Sequence, residues 1–235
     1  MKIKIMSYNT QHCLNFLTQQ IDFDLIASTI KNCGAEIIGL QEIRGEGARE
    51  DYVDQIKILS EKTGFYYYFA EAIKVEGSNP YGNAILSKYP IISAETIAIP
   101  DPEVKQYKDG YEKRCILKAE IDVASGLSIL VSHFGLNKDE QKNAVATVSD
   151  NLPDEKCVLM GDFNMKPRNR ILKPIKERLY DTAEMFECKK LSYQSDKPKV
   201  KIDYIFVSND LCVKSADIPE IISSDHRPHI ATIEI

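Results

Sequence analysis

The sequence has no tryptophan, and no apolar run approaches the ~20 residues that a helix needs to cross a bilayer. None of the six cysteines (Cys13, Cys33, Cys115, Cys157, Cys188, Cys212) forms a Cys-x-x-Cys pair, which argues against a zinc ribbon or a dithiol redox centre. Four of them sit in apolar stretches, where a thiol behaves as a small hydrophobe, so reduced thiols in a cytoplasmic protein are expected. The N-terminal MKIKIMSYN has no apolar h-region and no small-residue cleavage site, so no secretory signal is read there. Gly/Ser-rich or Pro-rich linkers, internal repeats and low-complexity tracts are also lacking. Positive charge is not in excess: 30 Lys+Arg stand against 35 Asp+Glu, a net charge of −5. That balance argues against a protein whose main task is to coat nucleic acid.

With 43% hydrophobic and 28% charged residues, the chain has the balance of a globular protein and not of a disordered or collagen-like one. Its 235 residues allow one or two domains and a large core without disulfides. Lys2-Ile3-Lys4-Ile5 and Ala231-Thr232-Ile233-Glu234-Ile235 alternate as half-buried strands should. Residues 36–41, 65–71, 84–87, 115–123, 127–134, 156–160, 200–207 and 211–216 are further strand candidates, bounded by turn residues. Ser125-Gly126 reads as a hairpin turn between two of them. Helical spacing appears over 22–32, 50–62 and 138–152, with a shorter helix expected after Arg170. Many strands with a few helices predict one α+β domain over 1–235, sheet packed on sheet with helices outside.

The polar residues that follow the strands point to chemistry. Asn9 follows the first, Gln41-Glu42 follows Ile37-Ile38-Gly39-Leu40, and His133 ends Leu130-Val131-Ser132. Gly161-Asp162-Phe163-Asn164 follows Cys157-Val158-Leu159-Met160, and Ser224-Asp225-His226-Arg227-Pro228 precedes the last strand. A strand end is a rigid mount for a polar group. Each fragment also has a structural reading. Asn9, Gly-Asp-Phe-Asn and Ser-Asp-His suit turns, Glu42 suits a solvated loop, and His133 suits a satisfied core position. Their joint occurrence in this order favours function.

Together with Met6-Ser7-Tyr8-Asn9, Tyr81-Gly82-Asn83-Ala84-Ile85-Leu86-Ser87 and Ile202-Asp203-Tyr204-Ile205, these segments resemble the endonuclease/exonuclease/phosphatase superfamily of metal-dependent phosphoesterases. The resemblance runs from residue 6 to 228 and implies a four-layer α/β/β/α sandwich with an active site at one edge. It implies Mg²⁺ (or Mn²⁺) held by Glu42, with Asn9 and Asp225 beside it. Asp162 matches the general base, Asn164 a group holding water or a phosphate oxygen, and His226 a phosphoryl donor oriented by Asp203. His133 matches a second histidine on the phosphate. Arg114 is a candidate phosphate contact or an ordinary exposed arginine, and Asn83 a site residue or a turn residue. The role of His12 is open, and His229 is expected to be packing.

The substrate is less sharply defined. Abasic-site endonucleases read Ser-Trp-Asn-x-Asn-Gly and Gln-Glu-Thr-Lys where this chain has Ser7-Tyr8-Asn9-Thr10 and Gln41-Glu42-Ile43-Arg44. The inositol-phosphatase and sphingomyelinase branches are generally longer. A metal-dependent hydrolase of a small or lipid-derived phosphate mono- or diester is therefore expected. A DNA endo- or exonuclease is the alternative, and a catalytically inactive binding module a third.

Overall fold

The computed structural model describes every residue except Ser125. The chain opens with β1 (Lys2–Asn9) and a small hairpin, β2 (Leu14–Asn15) and β3 (Gln20–Ile21). It crosses through α1 (Phe23–Cys33) to β4 (Ile37–Arg44), and after α2 (Gln55–Thr63) makes the hairpin of β5 (Tyr66–Val75) and β6 (Asn79–Ser87). Next come β7 (Ile91–Ile99), β8 (Arg114–Ile121), β9 (Leu127–His133), α3 (Lys138–Asn151) and β10 (Cys157–Asp162). The short elements α4 (Lys173–Lys176), β11 (Leu179–Asp181) and α5 (Thr182–Met185) lead to β12 (Asp203–Ser208), β13 (Cys212–Asp217) and β14 (His229–Glu234).

Two six-stranded sheets result, ordered β13-β14-β1-β4-β6-β5 and β11-β12-β10-β9-β8-β7. Each has one parallel pair at its centre, β1 with β4 and β9 with β10, and antiparallel neighbours elsewhere. A parallel pair needs a crossover, and α1 and α3 supply the two. The two halves thus share a topology that no repeat in the sequence announces.

Alternation along the strands builds three apolar layers. Ile3 and Ile5 of β1 and Val158 and Met160 of β10 point inward, into one core between the sheets. Met6 and Tyr8 point outward, onto Ile26, Ile30, Ile56 and Leu59 of α1 and α2. Cys157 and Leu159 point outward, onto Ala144, Val145 and Val148 of α3 and Ile175 of α4. This is an α/β/β/α sandwich. The sheets approach closely at Gly39, where a Cβ would lie 2.6 Å from Met160 Sδ and 2.8 Å from Val131 Cγ2.

Helix ends follow local chemistry. Asp22 caps α1 by accepting from Leu25 N at 2.9 Å, and Gly34 closes it at φ 65°. Asn137 and Glu140 form a capping box at the start of α3. The helix expected over 50–62 begins only at Gln55. Asp54 caps it, and residues 47–52 are instead held in a turn closed by Gly47 N to Tyr52 O at 2.9 Å. The strand expected over 200–207 begins at Asp203, because Val200 pairs with Tyr193 outside the sheet. The Ser125 half of the expected Ser125-Gly126 turn lies outside the described residues. All six cysteines are free: Cys13, Cys115 and Cys157 are buried, Cys33 and Cys188 half-buried, and Cys212 exposed.

Candidate active site

Four inward-facing positions share one end of the sandwich. The parallel pairs expose their carboxyl ends there, so β1 ends on Asn9, β9 on His133 and β10 on Asp162. β12 runs the other way and begins there with Asp203, in register with Asp162. All four continue the inter-sheet rows of their strands, and all are buried. Where the apolar core stops, the same rows become polar.

Two backbone features aim side chains here. The β4–β6 register breaks between Leu40 and Ile43, and Glu42 sits in the bulge at φ 61°. The extra residue lets Ile43 rejoin the helix-facing core with Ile38 and Leu40 while Glu42 turns out of that row. Asn164 is also left-handed, at φ 50°. Such conformations are strained for non-glycine residues and are held only by their surroundings. Gly161 matters for a different reason: a Cβ there would overlap the Ser132 carbonyl oxygen of the paired strand, so only glycine lets β10 lie this close to β9.

Asp162 is the hub. Its Oδ2 lies 3.2 Å from Asn9 Nδ2, 3.5 Å from His226 Nε2 and 3.6 Å from His133 Nε2, and its Oδ1 accepts from Asn164 N at 2.9 Å. Burial, with Asp203 adding to it, pushes the Asp162 carboxyl up to about 7. His226 is oriented by Nδ1 on Asp203 Oδ2 at 2.9 Å, and the Tyr193 ring lies over it at 4.7 Å. Burial alone would lower the pKa of His226, but the carboxylates Asp203, Asp162 and Asp225 outweigh it and raise it to about 10. His133 behaves oppositely: burial, then Arg114 and His226, hold it well below the usual histidine range. Arg114 Nη1 lies 3.0 Å from His133 Nδ1. A guanidinium only donates, so Nδ1 accepts and the ring proton sits on Nε2, facing Asp162, while the Asn164 amide nitrogen 3.2 Å from Nε2 donates to Phe134 O.

Glu42 and Asp225 form the outer carboxylate pair. Asn9 Nδ2 lies 3.0 Å from Glu42 Oε1, and Ser224 Oγ donates to Asp225 Oδ1 at 3.1 Å. Burial and then the charge of Glu42 raise the Asp225 carboxyl. The Asn9 oxygen accepts from Gln11 N at 3.1 Å, and its nitrogen faces the two carboxylates, which suits a donor to phosphate beside the metal. Asn83 makes no hydrogen bond to any of these groups among the described residues. Its amide is buried and donates to Cys115 O at 3.0 Å, tying the two sheets together. His229 is buried against Thr182 and the Asp203 carbonyl, and His12 gives its carbonyl to Gln55.

Two neighbours have no role assigned from the sequence, although Tyr81 opens one of the segments that carry the resemblance. Tyr81 places its hydroxyl against Glu42, and burial followed by that carboxylate pushes its pKa well up. Tyr193 reaches His226 from a turn 33 positions upstream (226 − 193). Tyr81 belongs to a strand that Pro80 and Gly82 disguise; nothing marks Tyr193.

The profile of the Endonuclease/Exonuclease/phosphatase family matches residues 6–226. No curated protein matches the sequence. Among solved structures, an endonuclease/exonuclease/phosphatase from Beutenbergia cavernae DSM 12333 is 17% identical, with a TM-score of 0.80 over 100% of this chain and 72% of its own. A mannosyl-6-phosphatase from Bacteroides thetaiotaomicron VPI-5482 is 18% identical, with a TM-score of 0.76 over 99% of this chain and 100% of its own. The human nocturnin catalytic domain with bound sulfate is 16% identical, with a TM-score of 0.71 over 99% of this chain and 94% of its own.

Proposed function

The chain belongs to the endonuclease/exonuclease/phosphatase family, and from that premise we propose that it is a divalent-metal-dependent hydrolase of a small phosphate ester. The observation that carries the reading is the surround of Asp162: one buried carboxylate between two imidazoles, an asparagine amide and a backbone N–H, all within 3.6 Å.

The site suits a hard cation. Asp203 Oδ1 is buried without a partner among the described residues, and burial and the charge of Glu42 raise the Asp225 carboxyl although His226 works against them. Carboxylate oxygens are the donors that Mg²⁺ or Mn²⁺ prefers, and Glu42 and Asp225 would hold it. Asp162, Asp203 and His226 also lie close enough to be a ligand set, with ligand atoms within 4.8 Å of one another. They are engaged with one another, however, and a charged His226 has no lone pair to offer. The ion would supply charge neutralisation on the phosphoryl oxygens.

The chain's own groups supply the rest. Asp162, ionised above about pH 7, takes a proton from the attacking water. Asn164 N and Asn9 Nδ2 fix its two oxygens so that this lone pair is presented in one direction. His226, kept charged by Asp203, donates from Nε2 to a phosphoryl oxygen as negative charge grows there. Neutral His133, backed by Arg114, offers its Nε2–H to the same group. The test is a panel with added Mg²⁺, Mn²⁺ or chelator, offering sugar phosphates, a nitrophenyl monoester and diester, and single-stranded and abasic duplex DNA. Metal-dependent phosphate release from a monoester is expected. Cleavage of DNA alone would move the protein to the nucleases.

A further inference from the structure

A second feature lies at the same end of the sandwich, in the segments that follow β10 and precede β12. A groove of about 450 Å³ is lined by Lys166, Arg168, Lys189, Lys190, Lys199 and Lys201, with no carboxylate among its described lining residues. In a chain of net charge −5, that is a strong local excess. Lys201 is buried against Asp181 at 2.9 Å and Lys190 pairs with Asp217 at 2.8 Å. Lys166, Arg168, Lys189 and Lys199 are exposed and have no ion-pair partner among the described residues.

Backbone pairing fixes where the groove lies. Phe163 N donates to Ile202 O at 2.9 Å, so the segment leaving β10 runs beside the segment that leads into β12. This sets Lys166 and Arg168 alongside Lys199 and Lys201. Asn164 lies two residues before Lys166, Lys201 two residues before Asp203, and Tyr193 pairs with Val200 of the lining while its ring covers His226. Like charges gathered without counter-ions repel one another and cost stability, so a bound anion would relieve the groove. Cations and exposed amines at this spacing recognise phosphate oxygens.

The opposite flank has the other sign. Beyond Arg114 the lining carries Asp101, Glu103, Glu112 and Asp150 against Lys142, with Asp139 and Glu140 buried beneath. A polynucleotide crossing the site would need phosphate contacts on both sides. The groove also has the size of a small-ligand pocket. We infer that it holds a second phosphoryl group of the substrate, so that the preferred substrate is a small, multiply phosphorylated ester; this rests on the hydrolytic reading above.

The test compares glucose 1,6-bisphosphate with glucose 6-phosphate, and adds a tetranucleotide, for the wild type and the triple variant Arg168→Gln/Lys189→Gln/Lys199→Gln. The wild type is expected to favour the bisphosphate in kcat/KM, and the variant to lower that ratio about tenfold, the loss of roughly one charge-assisted contact. The preference should also fade with rising salt. An unchanged ratio overturns the inference, and so does a larger loss on the tetranucleotide than on the bisphosphate. If neither these sugar phosphates nor the nitrophenyl esters are hydrolysed, the hydrolytic reading fails separately. Calorimetric binding of inorganic pyrophosphate then decides the groove: weaker binding by the variant supports it, and equal binding overturns it.

Discussion

Asp162 and His226 carry opposite instructions for pH. Asp162 must lose its proton to act as a base, so kcat/KM should climb as pH rises through about 7. His226 must keep its proton to donate, so activity should fall again as pH rises through about 10. Asp203→Asn removes the partner that keeps His226 charged. It should lower kcat about 10²-fold and move the alkaline limb of the pH profile down, which a merely structural loss would not do. His229 gives a stability prediction of defined sign. Burial depresses it from its ordinary 6.5 to about 3, so it stays neutral in the fold. The unfolded chain takes up that proton first, so the contribution is complete above pH 6.5 and is lost as pH falls toward 3. The urea midpoint of the wild type should therefore drop more between pH 7 and pH 4 than that of His229→Asn. These residues were only partly legible in the sequence. Gly-Asp-Phe-Asn and Ser-Asp-His stand out as clusters, whereas Tyr81 and Tyr193 depend on contacts that no local pattern encodes.

At the scale of elements, close backbone approach matters more than side-chain identity. Gly39→Ala would push a Cβ between Met160 and Val131, and flexible Met160 can yield, so a loss of about 1–3 kcal/mol is expected. At Gly161 the obstacle is the Ser132 carbonyl, which cannot move without separating β9 from β10. Gly161→Ala should thus be the more destabilising of the two in denaturant unfolding and should lose activity even where it folds, because Asp162 is the next residue. Central strands were legible as short apolar runs bounded by turn residues, because both of their faces are buried. The edge strand β7, Ile91–Ile99, was not, since most of its side chains are exposed or half-buried. In β6 only the part from Ala84 is legible, because Pro80 and Gly82 mask a strand that begins at Asn79. The bulge at Glu42 was equally hidden, although it decides where that carboxylate points.

At the scale of the molecule, the core between the sheets draws on residues from Ile3 to Ile233, and the site on residues from Asn9 to His226. We therefore propose one cooperative unit over 1–235, expected to unfold in a single transition by fluorescence and by circular dichroism. The alternating strands and covering helices made the sandwich legible. Its internal two-fold topology was not, because the two halves share strand order and not sequence. That topology brings the two parallel pairs together at one end and so assembles Asn9, Glu42, His133 and Asp162 into one site. Its most direct test is phosphate release by the wild type and by Asp162→Asn, each with Mg²⁺ and with excess chelator, alongside a far-ultraviolet spectrum. The wild type should turn over only with metal, and the folded variant should be slower by about 10³-fold. Undiminished release by Asp162→Asn, or by the wild type in chelator, would contradict the account.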